Sequence, residues 1–349
     1  MSTVNSSMAE ETAAPRANTL RSFNFSARFW VSLVIVACVI LMSLAGFIYP
    51  TGPAEKVGSL YDPPGNGLLM GTDNFGHDVI AVLMAGTRTS LIIGLVAGIV
   101  ATTIGVGVGL LAGYVGGWFE ELLMGVTNVV LAIPAIVVLI LISMSLPSST
   151  IWSLAIVIGI TSWPWTARAV RAQASSVATR EHIDVARLSG VRLPGILVKD
   201  VLPYILSYAV MAFVLQVAGA ILAEAALSML GLGPSGVNSL GTQLHWALAF
   251  QAVASGAWWA FLPPTLVLTL VSFGFLLLQA SLDEVFNPRL RRGKRKQMKQ
   301  AAARREEEAR LLAEQAADPA ARADPGAPAD PAASGTHQHP ERSEAGDPV

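Results

Sequence analysis

SLIIGLVAGIVATTIGVGVGLLAG, residues 90–113, holds no charged side chain over 24 positions. As a helix it would extend about 36 Å, more than the roughly 30 Å of a bilayer's hydrocarbon layer. Its glycines are not scattered. Gly94 and Gly98, then Gly105, Gly109 and Gly113, stand at i, i+4 intervals, so each set lies on one helix face and forms a groove that a second backbone can enter. Close packing in a membrane bundle is one use of such a groove, and a conduit is the other.

Five more stretches are comparably long and apolar, at about 29–49, 121–146, 151–172, 203–230 and 258–282. Composition agrees: 53% of the 349 residues are hydrophobic and 13% charged, against about 25% charged in soluble domains. The expected fold is an all-α membrane protein, a polytopic bundle of about six transmembrane helices within residues 29–290. A polar, largely disordered segment (1–28) precedes it, and a basic then low-complexity tail (291–349) follows. The run Phe29–Tyr49 exceeds the usual signal-peptide core of about 7–15 residues, and no small-x-small site follows in AGFIYPTGP, so it is expected to be a retained span. Pro134, Pro164, Pro263 and Pro264 fall in or beside spans and predict kinks. Cys38, the single cysteine, is expected as a buried small hydrophobe.

Orientation follows from the cations. Arg16, Arg21 and Arg28 precede the first span, Arg168 to Lys199 follow the fourth, and Arg289 to Lys299 follow the sixth. With an even number of spans these share one side, and the other holds only Lys56 and Arg88. The basic side is therefore expected to be cytoplasmic with both termini inside, which puts the Pro/Gly-rich loop 50–89 outside and the loop 173–202 inside. NPRLRRGKRKQMK, residues 287–299, suits anchoring beside anionic lipid headgroups, and no nucleic-acid partner is expected. AAARREEEARLLAEQAA has helix-forming composition, and the Pro/Ala/Asp-rich end reads as disordered. His337 and His339 lack further ligands at suitable spacing, so no metal site is expected.

Catalytic signatures are missing. There is no G-x-x-x-x-G-K-[ST], H-E-x-x-H, C-x-x-C or G-x-S-x-G, and LSGV at 188–191 lacks the Gly-Gln that would make it an ATPase signature. The chain is expected to be no enzyme and to bind no cofactor, so any energy must come from a partner. Glu224 is the ionisable residue deep in a span. It faces a bundle interior, a polar cavity or a partner, or else reaches water near the outer boundary, and it is a candidate for a translocation path or gate. Gln216 and Gln279 suit interhelical hydrogen bonds.

One polar island remains, HIDVARLSGVRLPGILVKDVLPY, residues 182–204. Thr179 can cap a short helix, with Glu181 and Asp184 at its positive end and Arg187 at its negative end. Gly190 supplies a left-handed stop. Pro194 can open a second short helix through Ile196, Leu197 and Val198 towards Pro203. Such a helix–turn–helix, bonded directly to two spans, can carry force from a soluble partner. An ordinary solvated amphipathic loop is the alternative.

Asp184-Val185-Ala186-Arg187-Leu188-Ser189-Gly190, followed by ILVKDVLP at 196–203, resembles the E-A-A-x-x-x-G…I-x-L-P cytoplasmic loop of ATP-binding-cassette importer permeases. LMGTDNFGHDVIAVLMAGTRTSL (69–91), GLLAGYVGGWFEELLMGVTNVVLAIPAIV (109–137) and AILAEAALSMLGLG (220–233) narrow the match. Together they are similar to the second permease of the dipeptide/oligopeptide/nickel group, over about residues 25–290. The first of these carries an outer-loop motif at Gly71, Thr72, Asp73, Gly76 and Asp78. Departures stand at Asp184-Val185-Ala186 for Glu-Ala-Ala, at Gly76-His77-Asp78 for G-R-D, and at Tyr204 for the usual Asn after Leu202-Pro203.

The resemblance implies a type I importer permease in a bacterial cytoplasmic membrane. This chain would pair with a homologous permease, above two cytoplasmic ATPase subunits that bind ATP and Mg, and below an extracytoplasmic substrate-binding protein. Ile183 to Gly190 would be the coupling helix that docks on an ATPase, with Leu202 and Pro203 joining it to the fifth span. The cargo implied is a peptide; nickel complexes, glutathione and haem-like molecules are also carried in the group. Two other classes remain: a secondary transporter or channel, which needs ion-binding carboxylates in several spans, and a membrane scaffold that transports nothing.

Overall fold

The computed structural model describes residues 27–65, 67–146, 149–286 and 303–310. Between 27 and 286 the helices are α1 (Ala27–Ala45), α2 (Val79–Val115), α3 (Gly117–Ala132), α4 (Ala135–Ser145), α5 (Ile151–Ala178), α6 (Glu181–Leu188), α7 (Leu193–Gly195), α8 (Leu202–Met229), α9 (Leu240–Ala249) and α10 (Trp258–Phe286), with a π-helical turn at Ile196–Val201 leading into α8. Among the described residues there is no strand, and three isolated bridges fasten the loop between α1 and α2. Residues 303–310, taken by themselves, are helical with every side chain exposed. The expectations for 1–26, the basic run and the histidines of the tail lie outside the described residues.

The architecture is all-α and polytopic. α1, α2, the run Leu193–Met229 and α10 are each long and apolar enough to cross a membrane; α3 and α4 make a fifth span if the pair, bent by 80°, counts as one. Pro134 sits at that bend and caps α4, where its ring ends the preceding helix. The stretch expected at 151–172 forms α5, 28 residues long, which does not meet the same test of apolarity. Thr161, Ser162, Thr166, Arg168 and Arg171 dilute it.

α2 is the central strut. It begins at Val79, not near 90 as its polarity suggests, because Thr87, Thr89 and Ser90 are buried on the helix. Thr87 Oγ1 donates to the Leu83 carbonyl at 2.7 Å, which satisfies the hydroxyl within the helix itself. At 37 residues it runs about 55 Å, well beyond the hydrocarbon. Its glycine sets face two different helices. A Cβ at Gly94 or Gly98 would stand 2.4 Å from Ile221 Cγ1 or 2.7 Å from Val217 Cγ2, both on α8. At Gly105, Gly109 or Gly113 it would stand 2.6 Å from Thr166 Cβ, the Ala167 carbonyl oxygen or the Arg171 carbonyl oxygen, all on α5. The grooves are thus used for packing, the main source of helix association where lipid is as apolar as leucine.

α1 buries only Ser32, Val36, Val39 and Ser43, a single stripe against α10, where a Cβ on Gly274 would come within 2.7 Å of Ile35 Cγ2. Cys38 lies off that stripe and is exposed, contrary to the expectation that it is buried.

Candidate functional site

The two ends of α2 carry the two polar regions singled out in the sequence. At its C-terminal end sits α6, eight residues long. Its N-cap is Arg180 and no side chain completes the cap. Thr179 does not cap it: its hydroxyl donates back to the Ser176 carbonyl at 3.3 Å, closing α5. The other end follows the expected pattern. Gly190 has φ 73°; its N–H donates to the Arg187 carbonyl and that of Val191 to the Ala186 carbonyl, the paired bonds of a Schellman stop, in which the left-handed residue is cheapest as glycine.

The second half of the loop is not a separate helix. Leu193–Gly195 passes through the π turn straight into α8. At that turn the Leu202 N–H bonds the Leu197 carbonyl, five residues back. Pro203 follows at the start of α8. A proline has no N–H and crowds the carbonyl four residues before it, and a widened turn just ahead accommodates both effects.

α6 is held inward by one fully buried side chain, Ile183, in a cluster with Leu110, Val170, Ala174, Val177, Ile196, Val201 and Ile205; Ala186 and Leu202 pack around it. Arg187 Nε donates to Tyr114 Oη at 2.9 Å, and Arg187 Nη1 lies 3.6 Å from Asp184. Facing away are Asp184, Val185, Leu188 (89% exposed), Val191 and Leu193. An exposed patch of mixed apolar and charged side chains, mounted rigidly on two long helices, is what a docking surface needs.

The opposite end of α2 is closed by the outer-loop motif, and each motif residue has a structural task. Thr72 is fully buried; its hydroxyl donates to the Ser59 carbonyl at 2.6 Å and accepts the Asp62 N–H at 2.7 Å. Asp73 Oδ1 accepts the N–H groups of Phe75 and His77. Asp78 caps α2 through the Ile80 N–H at 2.9 Å and accepts the Tyr49 hydroxyl at 2.9 Å. Gly71 and Gly76 have positive φ, and a Cβ on either would strike the Asp62 or Gly58 carbonyl at 2.2 or 2.3 Å. The loop seats on α9 through Phe75, whose ring lies 5.4 Å from Trp246 and 5.7 Å from Phe250, and on the start of α10 through Trp259 Nε1, which donates to the Thr72 carbonyl at 3.1 Å. Tyr61 donates to the Phe250 carbonyl; burial, and then the Asp73 carboxylate, push its phenol above the ordinary range, so it stays a donor.

Glu224 is enclosed, with no exposed surface. Ser90 Oγ donates to one carboxyl oxygen at 2.8 Å and Ser228 Oγ to the other at 2.6 Å, while Ser90 accepts the Leu240 N–H at the start of α9. The carboxyl group therefore ties α2, α8 and α9 together. A cavity of about 550 Å³, whose lining does not include Glu224, opens among the α3–α4 break, α5, α8 and α10. Its polar lining includes Thr161, Ser162, Gln173, Gln216, Gln279 and Asp283. Gln216 also bridges α8 to α5, donating to the Ser162 carbonyl at 2.9 Å and Thr166 Oγ1 at 2.8 Å. The shared face of these residues had one signal in the sequence: α5 is more polar than a lipid-facing helix needs to be.

Residues 105–292 match the family described as the binding-protein-dependent transport system inner membrane component. The chain is 32% identical over 293 residues to a putative peptide transport system permease protein of Brucella suis biovar 1 (strain 1330), covering 82% of this chain and 96% of that protein. It is 31% identical over 228 residues to the oligopeptide transport system permease protein OppC of Lactococcus lactis subsp. lactis (strain IL1403), covering 65% and 77%. It is 29% identical over 265 residues to OppC of Bacillus subtilis (strain 168), covering 75% and 86%.

Proposed function

The chain belongs to the family of binding-protein-dependent transport system inner membrane components, and we propose that it is the permease subunit of an ATP-driven importer of di- or oligopeptides. It pairs with a homologous permease in a bacterial cytoplasmic membrane, with both termini inside. An extracytoplasmic binding protein delivers the peptide, and two cytoplasmic ATPase subunits, carrying ATP and Mg, supply the energy. The names of the relatives support the peptide cargo.

The observation that carries this reading is α6, a short helix fastened by Ile183 to the ends of α2, α5 and α8, with Asp184, Val185 and Leu188 turned outward. ATPase closure pulls on this handle. A ligand or partner can shift a two-state bundle only through contacts that differ between its states, and α6 is where such contacts are made. The cavity beside Gln216 and Gln279 is this chain's share of the path. Its amide and hydroxyl groups suit a peptide backbone of any sequence, which leaves selection to the binding protein. Glu224 acts at the outer end as a fixed part of the gate. A secondary transporter would need ion-binding carboxylates in several spans, and Glu224, deep in α8, is sealed by two serines.

The test is purification of the chain with its associated subunits, followed by reconstitution in proteoliposomes and measurement of ATP hydrolysis with binding protein loaded with candidate peptides. Peptide-dependent stimulation is expected. If no ATPase purifies with the chain, the proposal fails.

A further inference from the structure

An eight-residue helix is too short to be stable on its own, and α6 has no side-chain cap at its start. One fully buried side chain, Ile183, with Ala186 packed beside it, fixes where the helix sits, and one point of attachment does not by itself set a helix's tilt. A handle that rocks transmits nothing, so the orientation of α6 has to be set elsewhere.

Two tyrosines stand at its two ends, on two different membrane helices. Tyr204 is in the first turn of α8, and its ring serves both residues at the start of α6: the Arg180 guanidinium lies 5.0 Å from the ring centroid, and the His182 ring lies 4.8 Å away, tilted by 36°. His182 Nε2 is enclosed without a hydrogen-bond partner, so stacking on Tyr204 orients this imidazole. Tyr114 is in the last turn of α2 and takes the other end, accepting from Arg187 Nε at 2.9 Å while the guanidinium lies 4.7 Å from its ring centroid.

We infer that Tyr114 and Tyr204 are positioning residues for energy coupling: with Ile183 they fix the orientation of α6, so that a tilt imposed on its outer face is delivered to α2 through Tyr114 and to α8 through Tyr204. The inference rests on the importer reading above. The chemistry at the two anchors differs. Tyr204 acts through the face of its ring, and Tyr114 through its hydroxyl and ring together. A cation over an exposed ring accounts for about a fivefold preference for the anchored orientation.

The assembled transporter in proteoliposomes tests this, with peptide uptake and ATP hydrolysis measured together and co-purification of the ATPase as the control for assembly. Tyr204→Ala is expected to lower peptide taken up per ATP about fivefold while the ATPase still co-purifies. Tyr204→Phe, which keeps the ring, is expected to restore the ratio. Tyr114→Phe, which loses the Arg187 bond but keeps the ring, should fall between wild type and Tyr114→Ala. A merely structural role would lower the amount of assembled complex and leave uptake per ATP unchanged. Wild-type uptake per ATP in Tyr204→Ala overturns the inference, and so does a Tyr204→Phe variant as uncoupled as Tyr204→Ala. Should Tyr204→Ala not assemble, the pair Arg180→Ala and His182→Ala strips both partners from the ring without touching α8, and normal coupling in that double variant is equally fatal. If the wild-type chain brings down no ATPase, the importer reading itself is what fails.

Discussion

Gly107 and Gly109, two residues and about 200° apart, lie on opposite faces of α2, and they separate helix propensity from helix packing. A Cβ added at Gly107 would meet nothing within 4 Å. Alanine there removes the backbone freedom of a mid-helix glycine and is expected to stabilise the helix by about 1 kcal/mol. At Gly109 the same methyl group would stand 2.6 Å from the Ala167 carbonyl oxygen and 2.7 Å from Val170 Cβ. The first neighbour is backbone and cannot rotate away, so α2 and α5 have to part by roughly 1 Å before the contact returns to the 3.5–4.0 Å range. Overpacking of this kind costs about 1–3 kcal/mol. The propensity gain is common to both variants, so their difference isolates the packing cost at about 1–3 kcal/mol. Thermal unfolding of the detergent-purified chain measures it: Gly107→Ala should melt at or above wild type, and Gly109→Ala several degrees below Gly107→Ala. Coincident melting curves would refute the close approach of α2 and α5.

The other predictions test the two ends of the strut. Asp78→Ala removes the cap on the Ile80 N–H and the acceptor of Tyr49; a loss of about 1 kcal/mol should appear as faster amide exchange in the first turn of α2, and unchanged exchange there would contradict the cap. Glu224→Ala leaves the Ser90 and Ser228 hydroxyls without their acceptor and should lower stability by about 1–3 kcal/mol, with Glu224→Gln milder because one carbonyl oxygen remains; equal melting of the two variants argues against the three-helix tie. Gly190→Val forces a β-branched residue to φ 73°, at a cost of about 1–3 kcal/mol. With open space around that position the bundle should still assemble, while peptide uptake per ATP falls; normal uptake per ATP in this variant would count against the turn.

What the sequence made legible was what depends on local composition. The apolar runs marked the long helices, though not α9 or the opening turns of α2; the spacing of Gly94 to Gly113 allowed close packing, and Gly190 announced a left-handed stop. What it hid depends on which partner each group takes, near or far in the chain. Thr87 looks like a loop residue until Leu83 is seen to take its hydroxyl, and nothing beside Ser90 in the sequence announces the Glu224 carboxyl it binds. Thr179 has the right chemistry to cap α6, yet its hydroxyl is already bonded to Ser176, because α5 runs on to Ala178. Cys38 is apolar and inside a span, but apolarity in a membrane helix says nothing about which face is turned inward. The motif Gly71 to Asp78 was visible as a family signature; that it is a knot holding the outer loop needed the carbonyls of Asp62 and Gly58.

The two glycine sets also bear on how the bundle moves. Gly94 and Gly98 join the half of α2 nearer Asp78 to α8, and Gly105, Gly109 and Gly113 join the half nearer Tyr114 to α5. Where side chains interdigitate, a small displacement is absorbed by rotamer shifts. At Gly109 and Gly113 the facing atoms are carbonyl oxygens of α5, which have no rotamer to change. α2 and α5 therefore behave as one body at the end where α6 is mounted. At the other half the nearest neighbours are the side chains of Ile221 and Val217, with the Val217 backbone at 3.2–3.3 Å behind them. The division between α8 and the α2–α5 pair is crossed by those side chains and by the Ser90–Glu224 and Gln216–Ser162 hydrogen bonds. α6 bridges that division, with Arg187 bound to Tyr114 on α2 and Arg180 and His182 stacked on Tyr204 of α8.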